Sequence, residues 1–139
     1  MTKIYIAAYK EFGDYKILKK VCDYLLQHTN KEDVLFYVST GESGDNTCMK
    51  YVRDNGYNYI DWMPQKRCKN RSEEKLKVIK ESNHAILVHG NDSVGISIAI
   101  RHSSVNINGK IAIIYPQMGI LEVFKRDWDD SKTKKISEI

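Results

Sequence analysis

Residues 34–45 read Val-Leu-Phe-Tyr-Val-Ser-Thr-Gly-Glu-Ser-Gly-Asp, and this stretch decides the fold. Its first five residues are apolar, which is typical of a strand that is buried on both faces. A polar turn with two glycines follows, and residues 46–52 then carry apolar side chains at helical spacing. Because free backbone N–H groups and the positive end of a helix dipole meet in such a turn, it predicts an anion site. The alternative is a tight strand-to-helix turn without a ligand.

Length and composition indicate one domain of an ordinary globular protein. The 139 residues carry a formal net charge of +4 and three cysteines, Cys22, Cys48 and Cys68, which form no Cys-x-x-Cys pair. We therefore expect no metal site, no disulfide framework and no cofactor. The chain has no run of roughly 20 apolar residues, and its first residues lack the charged-then-apolar pattern of a signal peptide. We therefore expect a cytoplasmic protein without membrane contact, in a bacterial cell or a phage-infected host.

Apolar patterning predicts five strands and four helices that alternate along the chain. The predicted strands are residues 3–8, 34–38, 57–62, 85–88 and 110–115, and the predicted helices are residues 14–28, 46–56, 72–83 and 94–102. Such alternation, with several strands apolar throughout, is typical of a parallel sheet with helices on both faces. Residues 1–116 form this predicted domain. We expect residues 117–139 to be a partly ordered extension that forms an added strand or an oligomer contact, with the last ten residues disordered.

Three residues mark predicted helix ends. Asp14 and Ser72 precede helical patterns and are predicted N-caps, because their side-chain oxygens can accept from the first free N–H groups. Gly56 follows the second helix and is a predicted left-handed C-cap.

Three polar turns follow predicted strands, at residues 8–13, 39–45 and 89–95. In open parallel sheets, ligands bind beyond the carboxyl ends of the strands, where the strand order reverses. We therefore expect these three turns to lie together at one edge of the sheet and to form a ligand site.

Several motifs in these segments resemble those of one family, the SLOG superfamily, which includes the DprA and LOG proteins. The motifs are residues 6–12 (Ile-Ala-Ala-Tyr-Lys-Glu-Phe), residues 38–45, residues 69–71 (Lys-Asn-Arg) and residues 84–88. The chain is most similar to the small YspA- and YpsA-like branch over about residues 1–116. The resemblance implies an α/β fold, a Rossmann-like three-layer α/β/α sandwich with a mostly parallel five-stranded sheet.

The resemblance also bears on activity. LOG-type phosphoribohydrolases carry a Pro-Gly-Gly-x-Gly-Thr segment, whereas residues 90–95 read Gly-Asn-Asp-Ser-Val-Gly and lack the double glycine. This departure favours ligand binding over hydrolysis. SLOG relatives are implicated in sensing nucleotide-derived molecules, so the resemblance implies a ligand of that class.

The predicted ligand site combines several chemical roles. Backbone N–H groups of residues 41–45 would hold a phosphate, with Lys10, Asn70 and Arg71 as further donors. Tyr9 would stack on a base or is an exposed turn residue, and Asp45 would bind a ribose hydroxyl or cap the second helix. The predicted ligand-binding residues are Ala8, Tyr9, Lys10, Thr40, Gly41, Glu42, Ser43, Gly44, Asp45, Asn70, Arg71, His89, Gly90, Asn91, Ser93 and Gly95.

The function that we predict is binding, by sensing or sequestration, of a nucleotide-derived small molecule. An ADP-ribose-type or cyclic nucleotide defence signal is one candidate, as in a phage protein that removes such a signal. The alternative is a nucleotide N-glycosidic hydrolase, a phosphoribohydrolase, with Glu42 or Asp45 as the catalytic carboxylate. DprA-like nucleic-acid binding through the basic residues 66–80 is the least favoured interpretation, because no aromatic residues are interleaved with the basic ones and acidic residues weaken the charge of that stretch. Relatives commonly dimerise or form tetramers, so we expect a homo-oligomer.

Overall fold

A computed structural model describes residues 1–40, 42–63, 71–90 and 94–139. In these residues seven strands and four α-helices follow one another along the chain. The strands are β1 (Thr2–Ala8), β2 (Val34–Val38), β3 (Asn58–Asp61), β4 (His84–Val88), β5 (Ile111–Tyr115), β6 (Ile120–Lys125) and β7 (Asp129–Lys135). The helices are α1 (Tyr15–Leu25), α2 (Ser43–Asp54), α3 (Arg71–Glu81) and α4 (Val94–Asn106).

All seven strands belong to one sheet in the order β3-β2-β1-β4-β5-β6-β7. The strands β1 to β5 are parallel, which confirms the predicted α/β, Rossmann-like architecture with a mostly parallel sheet. The strand order reverses beside β1, because β2 and β3 lie on one side of it and β4 and β5 on the other. Crossover helices join the parallel strands, as parallel pairing requires.

The expected count of five strands is wrong, because residues 117–139 add two antiparallel strands. Leu121 in β6 pairs with Ile114 in β5, and β7 pairs in turn with β6. The expected disorder of the last ten residues is also wrong. Residues in that segment complete β7 and a final 3₁₀ turn, Ile136–Glu138, and the buried Ile136 side chain packs into the core.

The core has two parts, one on each face of the sheet. Buried side chains of α1 and α2, among them Leu18 and Val52, pack with Phe36 and Val38 of β2 on one face. On the other face, Ile79 of α3 and buried side chains of α4 pack with the strand side chains that point to that side of the sheet. The structure therefore has helices on both faces, as the alternating pattern predicts.

The predicted helix ends agree with the structure at two of three positions. The Asp14 carboxylate accepts a hydrogen bond from the Ile17 N–H at 3.2 Å, and Gly56 has a positive φ of 72°. The predicted cap at Ser72 is wrong, because α3 begins at Arg71 and so contains Ser72. None of the helices in the described ranges has the length and apolar character needed to cross a lipid bilayer.

Cys22 and Cys48 are fully buried free thiols, and burial raises the pKa of both. Both pack among the apolar side chains of the core, where a free cysteine behaves as a small hydrophobic residue. Cys68 lies outside the described residues.

The beginning of α2 lies directly against the turn that follows β1. The Gly44 N–H donates to the Lys10 carbonyl at 3.0 Å, and the Thr47 hydroxyl donates to the Phe12 carbonyl at 3.1 Å. A Cβ atom at Gly44 would overlap the Tyr9 carbonyl oxygen, so this position requires glycine for close backbone approach.

We expect Gly44→Ala to lower the free energy of unfolding by about 1–3 kcal/mol, because the added methyl group must push the 8–12 turn away from α2. Urea unfolding measures the change. Gly95→Ala is the matched control, since Gly95 is the second residue of α4 as Gly44 is of α2, and a Cβ there meets no atom within 4 Å. Equal unfolding midpoints for the two variants would contradict the steric explanation.

Candidate functional site

A cavity of about 360 Å³ opens at the carboxyl edge of the sheet, between β1 and the beginnings of α3 and α4. This is the edge at which ligands bind in open parallel sheets, beside the strand where the order reverses. The cavity is lined by Tyr5, Ala7, Ala8, Lys10, Glu11, Glu42, Asp45, Trp62, Arg71, Lys75, Val94, Gly95, Ile96 and Ala99.

Among the residues that the structure describes, three cationic side chains line this cavity: Lys10, Arg71 and Lys75. Arg71 is the first residue of α3, and Lys75 lies one turn further along the same helix face. The Arg71 guanidinium carbon lies 5.1 Å from the centre of the Trp62 ring, which is a cation–π contact. A spacing of four residues places Arg71 and Lys75 on one face of α3, so the two cations lie side by side at the cavity.

Lys75 lines the cavity and is half-buried. Its Nζ donates to the Gly95 carbonyl at 3.2 Å, which links α3 to the first turn of α4. Burial lowers the pKa of the ammonium, and the Arg71 charge lowers it further, while Asp45 and Glu42 act in the opposite direction.

Asp45 is a buried carboxylate in the first turn of α2. It accepts a hydrogen bond from the Ser39 hydroxyl at 3.0 Å, and the Arg71 Nη2 atom lies 3.3 Å from the same carboxylate oxygen. Burial raises the pKa of Asp45, although the Ser39 hydrogen bond and the Arg71 charge lower it in part. The alternative role of Asp45 as the cap of α2 is wrong, because Glu42 occupies the N-cap position.

The beginning of α2 offers fewer free N–H groups than the glycine turn predicts. The Gly44 N–H is already bonded to the Lys10 carbonyl, so it cannot also donate to a phosphate without breaking that contact. Ser43 is exposed, and the Thr40 hydroxyl donates to the Asp61 carboxylate at 3.4 Å. The first turn of α2 therefore has one backbone N–H group fewer for a phosphate than the glycine turn predicts.

Tyr9 does not line the cavity, and its ring packs against the turn that follows β4. Its ring packs 5.6 Å from the Phe12 ring, and a Cβ at Gly90 would be 2.6 Å from it. The Tyr9 hydroxyl accepts from the Gln117 amide at 3.3 Å. His89 likewise points away, with its ring 5.4 Å from the Tyr115 ring.

The predicted site residues therefore fall into three groups. Those that line the cavity are Ala8, Lys10, Glu42, Asp45, Arg71 and Gly95. Those that the structure describes elsewhere at the same edge are Tyr9, Thr40, Ser43, Gly44, His89 and Gly90. Gly41, Asn70, Asn91 and Ser93 lie outside the described residues.

Sequence reasoning missed two side chains that matter to this cavity, Trp62 and Lys75. Trp62 directly follows β3, so the same rule about carboxyl ends of strands that selected the other turns could have found it. The described residues contain no group of three or more His, Cys, Asp or Glu side chains placed to hold a metal ion.

Comparison of the chain with models of known protein families gives no match, and comparison with curated protein sequences gives none either.

The raised pKa of Asp45 predicts how stability depends on pH. Because the folded protein holds this proton more tightly than the unfolded chain, stability due to Asp45 is full below the unfolded pKa of about 3.9 and is lost as the pH rises through the folded pKa. We therefore expect the wild type to lose free energy of unfolding relative to Asp45→Asn between pH 4 and pH 7. Urea unfolding at both pH values measures this difference.

Asp54→Asn, at the end of the same helix and exposed, is the control for removing one carboxylate. A wild type that gains stability relative to Asp45→Asn as the pH rises would show that the ion pair with Arg71 outweighs burial, and the prediction would be wrong.

Proposed function

We propose that this protein binds a nucleotide-derived small molecule in the cavity beside β1, and that it senses or sequesters this molecule. One observation carries the proposal: a single cavity at the carboxyl edge of a parallel sheet brings together cations, carboxylates and an apolar wall. A nucleotide presents the complement of each, namely phosphate, ribose hydroxyls and a flat base.

The phosphate would bind among Lys10, Arg71 and Lys75. Hydrogen bonds between charged groups are shorter and stronger than neutral ones, and an arginine can donate two to one phosphate. Arg71 is oriented for this role by the Trp62 ring on which it lies and by Asp45, so little side-chain freedom remains to be lost on binding.

The ribose would bind near the carboxylates of Glu42 and Asp45. In dinucleotide-binding folds, an acidic side chain accepts hydrogen bonds from ribose hydroxyls. The same carboxylates disfavour a ligand that is only anionic, such as free phosphate, because they offset part of the positive charge. The mixed charge of the cavity thus favours a ligand with both hydroxyl donors and phosphate.

The base would lie against the apolar part of the wall, formed by Ala7, Ile96 and Ala99, all of them buried. The cavity volume is near the lower end of the roughly 300–1,000 Å³ that is usual for small-molecule sites. A ligand with one nucleoside unit, such as a nucleoside monophosphate or an ADP-ribose-type molecule, suits this volume better than a cyclic oligonucleotide does.

Hydrolysis of an N-glycosidic bond is the second candidate, because Glu42 and Asp45 line the same cavity. One carboxylate would activate water while the other stabilises positive charge on the ribose ring. Asp45 is already bonded to Ser39 and paired with Arg71, which favours a binding role for it. Glu42 is exposed and makes no cap hydrogen bond, so it is the carboxylate available for such chemistry.

The test is a depletion experiment. The purified protein is incubated with nucleoside monophosphates, NAD, linear and cyclic ADP-ribose and cyclic oligonucleotides, and is then removed by filtration. We expect one ligand to disappear from the filtrate and to return intact when the retained protein is heated. Free base and ribose phosphate in the filtrate would instead support hydrolysis.

Lys75→Met should weaken binding of the captured ligand by at least about tenfold, because it removes a charged hydrogen-bond donor from the cavity. Lys77→Met is the matched control, since Lys77 lies on the same helix but is exposed and does not line the cavity. Isothermal titration calorimetry measures both. If no ligand is depleted, or if both variants bind as the wild type does, the proposed site is wrong.

A further inference from the structure

The helical layer on the α1–α2 face is one helix short. Strands lie about 4.8 Å apart and packed helices about 8–10 Å apart, so each helix covers about two strands. A seven-stranded sheet therefore accommodates three helices on a face, but the described residues place only α1 and α2 on this one. The vacant position lies beyond α1, over β5, β6 and β7, where the described residues place no α-helix and the 3₁₀ turn Ile136–Glu138, with its buried Ile136, covers part of the face.

Two clefts mark this vacant position. The first, of about 300 Å³, lies beside the end of α1 and is lined in part by Leu25, Ala112 and Val123. The second, of about 710 Å³, lies between Tyr24 of α1 and the β6–β7 strands. Val123 lines both clefts, so they adjoin, and we call the two together the lysine groove.

The floor of the lysine groove is apolar. Leu121 and Val123 of β6 face the α1 side, where both contribute to the core on that face. Val123 of β6 and Leu25 of α1, which both line the first cleft, are only half-buried, so part of the floor is exposed to water. An apolar strip of this kind gains stability when another apolar surface covers it.

The rim of the groove is basic. Lys132 pairs with Val123 and Lys134 with Leu121, so the two lysines stand on the same face of the sheet as the apolar floor. Lys134 reaches across to α1, with its Nζ 5.4 Å from the centre of the Tyr24 ring. Of the Lys, Arg, Asp and Glu side chains that line the two clefts, four are lysines, Lys110, Lys132, Lys134 and Lys135, and one is acidic, Glu138.

We propose that the lysine groove is the docking site for an acidic amphipathic helix of a partner protein, which occupies the position of the missing third helix. The apolar side of that helix covers the exposed floor, and its Asp or Glu side chains pair with the lysine rim. The six residues of β6 span about 20 Å, which a helix of about 14 residues matches in length.

The test uses a designed probe: a fluorescein-labelled peptide of about 14 residues, with leucine along one side of the helix and glutamate elsewhere. Fluorescence anisotropy should show saturable binding to the full chain. The same peptide with lysine in place of glutamate should not bind. The double variant Lys132→Glu, Lys134→Glu should weaken binding of the acidic peptide by at least about tenfold, because it reverses the charge of the rim.

Lys77→Glu with Lys80→Glu is the matched control. It makes the same change of charge at exposed positions of α3, which packs on the opposite face of the sheet. This control should bind the acidic peptide as the wild type does. Circular dichroism and urea unfolding of both double variants show that each is folded.

Three results would overturn the proposal. The first is that the acidic peptide does not bind the wild type, or binds the Lys132, Lys134 variant equally well. The second is a dimer, measured by light scattering, that the same variant converts to monomer, which would assign the groove to a second copy of the chain. The third is variant-sensitive binding to vesicles with about 30% phosphatidylserine without binding of the peptide, which would assign it to a lipid surface.

Discussion

The close contact between Gly44 and the 8–12 turn is the constraint on which the carboxyl edge of this structure depends. With no side chain at Gly44, the beginning of α2 rests on the turn after β1 and donates its N–H to the Lys10 carbonyl. This contact fixes the turn that carries Lys10. It also places the next residue, Asp45, at the cavity wall rather than in solvent. One backbone contact thus positions side chains from two separate turns.

Asp45 then links the two helical layers across the edge of the sheet. It belongs to α2 on one face, whereas its partner Arg71 begins α3 on the other. A buried carboxylate without a partner would be costly, and the Ser39 hydroxyl and the guanidinium offset that cost. Arg71 is 43% exposed, so solvent screens the pair and leaves the guanidinium accessible to a ligand. The cavity therefore has a fixed negative wall and a cation that still faces the open space.

The carboxyl edge of the parallel strands and the β6–β7 side of the sheet differ in how completely other elements cover them. The carboxyl edge beside β1 is crowded with turns and helix starts, and it forms a polar cavity that is open to solvent on one side. The strands β6 and β7 extend the sheet beyond the last crossover helix, so one of their faces has no helix among the described residues. The same hairpin that buries Phe124 and Ile136 and completes the core leaves a basic groove beside α1.

The sequence by itself determined the features that depend on neighbouring residues. Apolar runs gave the parallel strands, Asp14 and Gly56 marked helix ends, and the polar turns after strands located the edge that holds the cavity. Only the tertiary structure decided which of these turn residues face the cavity. The Gly44 N–H is occupied by a carbonyl 34 positions away in the chain, Tyr9 packs on Gly90, and Trp62 and Lys75 enter from other elements. The antiparallel pairing of β5, β6 and β7 likewise depends on the sheet that is already present. Contacts between residues that are far apart in the chain arise from tertiary packing, so local patterns of polarity do not predict them.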